Sequence, residues 1–239
     1  MIHMQNVSKI FGKDFKAVDN LNLDIHEGKI YGFLGPNGAG KTTTLKMLTG
    51  ILAPDEGSIS INGFDIVEES TEAKKQFAFV SDDPDMFLKL KGLEYLRFVG
   101  KVYGVEGVEL KEAIFHYSKL FEMDRVLNDR IESYSHGMRQ KINVIGALIH
   151  KPKIWILDEP LTGLDPKSSH MLKSMMREHA DKGNIVLFST HVLEVAEKVC
   201  DHVFIINKGK IIFDGGLNEL KDKKDNSLED IFLELVENE

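Results

Sequence analysis

The sequence lacks the features of a secreted, membrane-spanning or nucleic-acid-binding protein. Its 239 residues include one cysteine, Cys200, so no disulfide can form within the chain and a reducing compartment is expected. The longest apolar runs, such as Phe77 to Val80, are far too short to span a bilayer, and no signal peptide is visible at the start. A formal net charge of −8 argues against binding of a nucleic acid backbone. We therefore expect a cytoplasmic chain that reaches a membrane only through a partner.

One segment carries most of the functional information, namely Gly35 to Thr42, which reads Gly-Pro-Asn-Gly-Ala-Gly-Lys-Thr. Two glycines five apart, followed by Lys and Thr, fit the phosphate-binding loop pattern, and the flanking apolar strand and helical patterns are the context that the motif requires. Lys41 would neutralise the β- and γ-phosphates, while the Thr42 hydroxyl would ligate Mg²⁺. Backbone N–H groups at the helix start would surround the phosphate oxygens. The predicted phosphate contacts are Gly35, Pro36, Asn37, Gly38, Ala39, Gly40, Lys41, Thr42 and Thr43.

A second chemical signal is the apolar segment Ile154 to Leu157, which is followed directly by Asp158 and Glu159. A parallel strand delivers the residues at its C-terminal end to the ligand crevice. Asp158 could hold Mg²⁺ through water, and Glu159 could orient or deprotonate a water that attacks the γ-phosphate. The alternative interpretation is an ordinary strand end with two solvated acids. The presence of the phosphate loop argues against this alternative.

The spacing of apolar residues divides the chain into a β-rich start, a helical middle and an alternating end. Alternation up to about residue 30 and a hairpin signal at Asn62-Gly63 indicate an antiparallel layer. Apolar residues recur at helical spacing between 92 and 150, which indicates an inserted helical subdomain, and strands alternate with helices again from 154 onward. We expect one α/β domain with a mainly parallel sheet: a nucleotide core over about 1–91 and 151–215, the helical subdomain over about 92–150, and an amphipathic helical tail over about 216–239.

Taken together, these segments resemble the ATP-binding subunit of ABC transporters over essentially the whole chain. Gly35 to Thr42 match the Walker A motif, and Ile154 to Glu159 match Walker B with its catalytic glutamate. Tyr134 to Met138 resemble the family signature, Leu164-Asp165 resembles the D-loop, and Ser189-Thr190-His191 resembles the switch-histidine segment. The resemblance implies a P-loop NTPase core that binds ATP and Mg²⁺ and hydrolyses ATP between two such subunits.

The resemblance also implies roles for single residues. Glu159 and His191 would position the attacking water and sense the γ-phosphate. Ser135, His136 and Gly137 would close the site from the second subunit. Three further nucleotide contacts are implied, which are Phe11 as the base-stacking aromatic, Val18 beside the ribose, and Asp165. From the residues alone, Phe11 is equally consistent with an ordinary hydrophobic plug.

Two segments depart from the common family pattern. The signature has His136 and Met138 where the commonest form has Gly and Gln. Where the family usually has the Gln of the Q-loop, this chain has Ser81-Asp82-Asp83-Pro84. Asp82 is expected to take the catalytic and Mg²⁺-ligating role, although an ionised carboxylate cannot donate a hydrogen bond as Gln does. Asp83 is the alternative residue for that role.

The acidic Q-loop, the signature and the segment Ser227 to Phe232 look like the ABC-2 exporter branch, which handles drugs, antibiotics, bacteriocins or ions. The expected function is an ATPase subunit that forms a homo- or heterodimer around ATP and powers a separate transmembrane permease at the inner face of the cell membrane. A groove near Asp82 to Leu88 and Glu94 to Phe98 would contact that permease. The alternatives are a non-transport ABC ATPase and a small-molecule kinase, although a kinase would have no use for the Ser135 segment.

Overall fold

Ten β-strands form two sheets within the part of the chain that the computed structural model describes, which is residues 1–221 and Phe232. The antiparallel sheet contains β1 (Ile2–Phe11), β2 (Phe15–Ile25), β4 (Glu56–Ile61) and β5 (Phe64–Asp65). The second sheet contains β3 (Lys29–Leu34), β6 (Phe77–Val80), β7 (Ile154–Leu157), β8 (Ile185–Thr190), β9 (His202–Asn207) and β10 (Lys210–Gly216), in the order β10-β9-β3-β8-β7-β6. Only β10 runs antiparallel to its neighbour in the second sheet. The predicted α/β fold with a mainly parallel sheet and an antiparallel layer is confirmed.

The helices fall into the regions where the sequence shows helical spacing. The described helices are α1 (Lys41–Leu48), α2 (Ser70–Lys74), α3 (Gly92–Val102), α4 (Gly107–Leu120), α5 (His136–Leu148), α6 (Pro166–Asp181), α7 (Leu193–Val199) and α8 (Leu217–Lys221), with a short 3₁₀ turn over Ile131–Ser133. The chain forms α3, α4 and α5 between the adjacent strands β6 and β7. The helical insertion expected between 92 and 150 is therefore present.

The parallel strands separate two hydrophobic clusters because successive residues point to opposite faces of a strand. Ile156 and Leu187 belong to a cluster that also contains apolar residues of the antiparallel sheet and of α1. Trp155 and Phe188, their neighbours in sequence, belong to a second cluster that includes apolar residues of α3, α4 and α5. Every residue of β7 and β8 is buried, so both faces of this part of the sheet are covered.

The helices of the insertion approach one another closely at a glycine. A side chain at Gly146 of α5 would meet the ring of Tyr95 of α3, whose hydroxyl would lie 2.8 Å from the added Cβ. Burial raises the pKa of Tyr95 to about 12, so this phenol stays neutral. Leu96, Leu110 and Ile114, which are among the apolar residues at helical spacing, are buried in the cluster that reaches the parallel sheet. The helical insertion and the nucleotide core are thus packed through one continuous apolar cluster.

The predicted amphipathic tail lies mostly outside the described residues. Within the described residues, Leu220 of α8 belongs to a third hydrophobic cluster, which also includes Leu34, Val203 and Phe213. Phe232 packs against this third cluster. The described residues contain no helix long and apolar enough to cross a membrane.

His150, which follows α5, is a partly buried titratable residue that makes the stability of the protein depend on pH. Its ring stacks on Tyr103 with centroids 3.7 Å apart and planes 5° apart. Burial lowers the pKa of His150 to about 4. Between pH about 6.5 and about 4 the unfolded chain therefore binds a proton that the folded chain does not, so the free energy of unfolding falls as the pH falls.

The variant His150→Phe keeps a stacking ring and removes the titrating group. We expect its urea midpoint to fall less than that of the wild type when the pH is lowered from about 7 to about 5. The fall is only partly removed because burial also lowers the pKa of His179 to about 4. Urea unfolding followed by circular dichroism at both pH values measures the effect. If the urea midpoint of the variant fell as much as that of the wild type, the contribution of His150 to the pH dependence of stability would be refuted.

Candidate active site

The polar residues predicted to act together leave the sheet at neighbouring strand ends. Leu34 at the end of β3 pairs with Thr190 of β8, and Leu157 at the end of β7 pairs with Phe188 of β8. Val80 at the end of β6 pairs in turn with Leu157. Because the carboxyl ends of these parallel strands meet at one edge, the segments that follow them share a crevice.

The loop after β3 has a shape that glycine alone permits at two positions. A Cβ at Gly35 would lie 2.3 Å from the carbonyl oxygen of Ile206, so the loop backbone lies directly against the end of β9. Gly40 has φ +111°, and its Cβ would lie 2.5 Å from the carbonyl oxygen of Ala17. The helix α1 then begins at Lys41 without a side-chain cap, which leaves the N–H groups of its first turn available to an anion.

Lys41 extends back over this loop. Its ammonium donates hydrogen bonds to the carbonyl oxygens of Gly35 at 2.7 Å and Pro36 at 3.1 Å. Burial lowers the pKa of Lys41, while the negative charges of Glu159 and Asp158 oppose that shift. A desolvated cation at the start of α1, beside unclaimed N–H groups, is suited to bind phosphate oxygens.

Asp158, directly after β7, is a fully buried carboxylate. Its Oδ1 accepts a hydrogen bond from Ser189 Oγ at 2.5 Å, and its Oδ2 has no hydrogen-bond partner among the described residues. Burial raises the pKa of Asp158, the hydroxyls of Ser189 and Thr42 oppose the rise, and the charges of Asp82 and Glu159 add to it. A buried negative charge with an unpaired oxygen is costly unless a cation binds beside it.

The residues around Asp158 fit a magnesium ion that is shared with a nucleotide. Within residues 1–221 and Phe232, no three side chains of Asp, Glu, His or Cys converge closely enough to hold a metal by themselves. Mg²⁺ needs fewer protein ligands, because it binds through one or two carboxylates together with phosphate oxygens and water. The unpaired Oδ2 of Asp158 and the nearby hydroxyl of Thr42 supply oxygen ligands of that kind.

Glu159 follows in a strained turn. Its φ of +47° is unusual for a residue with a side chain. Its backbone N–H donates to Ser189 Oγ at 2.9 Å, and its Oε1 lies 2.9 Å from His191 Nδ1. The two residues expected to handle the attacking water, Glu159 and His191, are therefore in contact.

The structure distinguishes the two acidic residues of the loop after β6. Asp83 uses its Oδ1 to accept the backbone N–H of Asp85 at 2.9 Å, so its carboxylate belongs to a local turn. Asp82 instead acts on Asp158, whose pKa its negative charge helps to raise. Its Oδ1 accepts a hydrogen bond from Ser81 Oγ at 3.1 Å. The local turn of Asp83 and the effect of the Asp82 charge on Asp158 favour Asp82 over Asp83 for the predicted Mg²⁺-ligating role, which stays a prediction.

The signature segment packs on the loop that follows Glu159. Ser135 caps α5 by accepting the backbone N–H of Met138 at 3.3 Å. A Cβ at Gly137 would lie 2.5 Å from the carbonyl oxygen of Gly163, and one at Gly163 would lie 2.4 Å from the ring of His136. His136 and Gly137 of the predicted signature segment are therefore packed against Gly163, which directly precedes the predicted D-loop.

Asp165 is committed to contacts within its own chain. It caps α6 by accepting the N–H of Ser168 at 2.9 Å, and its Oδ2 lies 2.8 Å from Lys141 Nζ. The hydrogen bond from Lys141, with those from Ser168, holds the pKa of Asp165 well below its usual range. Its expected contact with nucleotide stays a prediction.

Phe11 and Val18 have different surroundings. Phe11 is 42% exposed, and Lys9 Nζ lies 5.9 Å from the centre of its ring. Val18 is fully buried and would lie 3.5 Å from a Cβ at Gly40. Val18 thus borders the phosphate loop, whereas Phe11 is exposed, and contact of either with nucleotide stays a prediction.

Two sets of contacts were not anticipated from the sequence. Ser189 bonds to both Asp158 and Glu159. The sequence indicated this residue only as a polar side chain that directly follows the apolar segment Ile185 to Phe188 of β8. The second set ties the loop after β6 to α5: Arg139 Nη1 donates to Asp85 Oδ1 at 2.5 Å, and Asn143 Nδ2 donates to the carbonyl oxygen of Pro84 at 3.4 Å. No local pattern indicates that second set, because 54 and 59 residues separate the partners.

The ABC transporter family model matches residues 18–162, which include the phosphate loop, Asp158, Glu159 and the signature segment. The chain belongs to the ABC transporter family. The match covers more than half of the sequence and joins the motifs that the fold brings together. The chain is accordingly an ATP-binding subunit with the site of an ATPase.

Similar proteins agree with this assignment. The ABC transporter ATP-binding protein NatA of Bacillus subtilis (strain 168) is 37% identical, over 92% of this chain and 91% of that protein. The Nod factor export ATP-binding protein I of Cupriavidus metallidurans (strain CH34) is 34% identical, over 94% of this chain and 74% of that protein. A solved ATP-binding cassette, described as the dimeric post-hydrolysis state bound to ADP and Pi, has a TM-score of 0.82 at 25% identity, over 91% of this chain and 99% of that one.

The position of Asp82 predicts a difference between two neighbouring substitutions. We expect Asp82→Ala to raise the Mg²⁺ concentration needed for half-maximal ATP hydrolysis by about tenfold, because it removes a carboxylate near the metal. ATP binding should change less than hydrolysis. The measurement is a magnesium titration of phosphate release, with Asp83→Ala as the control because Asp83 accepts a local N–H. An equal or larger effect of Asp83→Ala would assign the role to Asp83.

Proposed function

We propose that this chain drives an exporter by hydrolysing ATP at the interface of a dimer, bound to a separate transmembrane permease at the cytoplasmic face of the membrane. The observation that carries the proposal is the group formed by Lys41, Asp158, Glu159 and His191 at one edge of the parallel sheet. This group contains a phosphate-binding cation, a metal ligand and a positioned carboxylate, which are the parts that phosphoryl transfer to water requires.

The residues divide the chemistry among them. The phosphate loop and Lys41 bind the phosphates of ATP, and the first turn of α1 directs its N–H groups at them. Thr42 and Asp158 would hold Mg²⁺, which neutralises charge that develops on the phosphate oxygens. Glu159 orients a water for attack and accepts its proton, and His191 holds the Glu159 carboxylate in place.

A second subunit is proposed to complete the site. Ser135, His136 and Gly137 lie at the N-terminus of α5, where backbone N–H groups favour an anion. His136 and Gly137 pack beside Gly163 of their own chain, in the loop that follows Glu159. The dimeric form of the similar cassette with ADP and Pi supports an arrangement in which the signature segment faces the nucleotide of a partner subunit. In a homodimer both subunits would carry the net charge of −8, so bound ATP would control their association.

The role of Glu159 predicts the behaviour of an isosteric variant. With ATP and Mg²⁺, Glu159→Gln should lower the turnover number by about 10²- to 10⁴-fold, because an amide cannot accept the proton. ATP binding should persist, so a dimer should accumulate. Phosphate release and gel filtration with and without ATP measure the two effects. Normal turnover in this variant would refute the role given to Glu159.

An apolar groove beside the loop after β6 is the proposed contact with the permease. It has a volume of about 190 Å³ and is lined by the loop, α3 and the end of α5. Met86, Phe87, Phe98 and Val102 on its walls are between 43% and 63% exposed. Phe87 contacts both Tyr95 and Phe98, with ring centroids 5.4 Å and 5.7 Å apart respectively. An exposed apolar groove of this kind suits a cytoplasmic helix of the permease.

Export is the direction that the relatives favour. The name of the Cupriavidus metallidurans relative describes it as a Nod factor export ATP-binding protein. That match includes 94% of the present chain. The groove supports a transport role over that of a non-transport ATPase, because it provides a surface for a membrane partner.

The groove predicts different effects for two exposed phenylalanines of the helical insertion. Phe98→Asp should reduce co-purification with the membrane permease by about tenfold or more, because it places a charge in the apolar contact. Phe115→Asp is the control, since Phe115 is 63% exposed on α4 and does not line the groove. Pull-down from detergent-solubilised membranes, with melting temperatures of both variants, measures the effect. Equal retention of the permease by both variants would refute the groove as the docking site.

A further inference from the structure

Ser189 occupies the end of β8, between the strand that leads into the phosphate loop and the strand that leads into Asp158. Its side chain has no exposed surface. Its hydroxyl donates to Asp158 Oδ1 at 2.5 Å and accepts the backbone N–H of Glu159 at 2.9 Å. Because a serine hydroxyl carries a single proton, the bond to Asp158 uses its donor and leaves a lone pair for Glu159.

Glu159 needs such a bond because its backbone is strained. A φ of +47° places it in the left-handed region, which persists in residues with side chains only where the surroundings hold it. Ser189 holds the N–H of this residue, and His191, two positions further along, holds its carboxylate at 2.9 Å. One short stretch at the end of β8 therefore fixes Glu159 at both its backbone and its side chain.

We propose that Ser189 is a positioning residue for ATP hydrolysis, which orients Glu159 and Asp158 together through its two hydrogen bonds. The proposal rests on the function proposed above for Glu159. The phosphate loop reaches its own geometry through contacts with Ile206 and Ala17, which do not involve Ser189. Loss of the Ser189 hydroxyl should consequently impair the chemical step more than the binding of ATP.

Two substitutions separate the hydroxyl from the volume of the side chain. Ser189→Ala should lower the turnover number by about tenfold to a hundredfold and change the KM for ATP by less than about threefold. Ser189→Cys fills nearly the same space but is a weak hydrogen-bonding group, so it should lose as much activity as the Ala variant. Wild-type turnover in the Cys variant, or a loss confined to KM, would overturn the proposal.

Ser8 offers a matched control in the antiparallel sheet. It is 2% exposed, and its hydroxyl accepts the backbone N–H of Asn20 at 3.0 Å. Asn20 is itself left-handed, with φ +52°. Ser8→Ala should lower the melting temperature about as much as Ser189→Ala but leave turnover within about twofold. An equal loss of turnover in both variants would mean a general structural effect and would overturn the positioning role.

A double-mutant cycle tests whether Ser189 acts through Glu159. In the Glu159→Gln background, Ser189→Ala should lower the residual rate by less than it lowers the wild-type rate, because only its effect through Asp158 remains, and it should leave the ATP-dependent dimer unchanged on gel filtration. The full Ser189→Ala loss in that background would overturn the proposal. The two hypotheses fail separately, since normal turnover of Glu159→Gln refutes the function of Glu159, whereas normal turnover of Ser189→Ala refutes only this inference.

Discussion

The buried carboxylate of Asp158 is the charge around which the rest of the site is arranged. A fully buried anion is tolerated only with hydrogen bonds and a nearby cation, and here the partners come from several elements. Ser189 of β8 supplies a hydrogen bond, and Thr42 and Lys41 of α1 supply a hydroxyl and a positive charge. One oxygen has no hydrogen-bond partner within residues 1–221 and Phe232. The pairing of β8 with β7 on one side and with β3 on the other brings these groups together, so the pairing of parallel strands determines the chemistry of the site.

Much of the fold was predictable because its signals are local. The strand, glycine loop and helix around Gly35 to Thr42 are consecutive in the chain, and so are β7 and the two acids that follow it. The hairpin at Asn62-Gly63 was also predictable, because Asn and Gly tolerate the positive φ that such a turn requires. Both residues adopt a positive φ in the structure. The order of the strands was not readable, because it depends on which strands pair across more than a hundred residues, as β3 does with β8.

Parts of the site could not be predicted for the same reason. The sequence could not favour Asp82 or Asp83, because the difference between them lies in local contacts such as the turn that Asp83 makes with the N–H of Asp85. The contacts of Asp165 with Lys141 and Ser168 show how a residue that matches a motif can also serve its own helix. Ser189 belonged to a recognised segment, yet its two bonds appear only when β7 and β8 lie side by side.

The ties of Arg139 to Asp85 and of Asn143 to Pro84 have a mechanical consequence. They tie the loop after β6 to the first half of α5, and that loop also forms a wall of the apolar groove. In a dimer of the proposed kind, Ser135 at the start of α5 would face the nucleotide held by the partner's phosphate loop. A permease helix in the groove would then respond to the ATP of the opposite subunit, so each half of the transporter would be controlled crosswise.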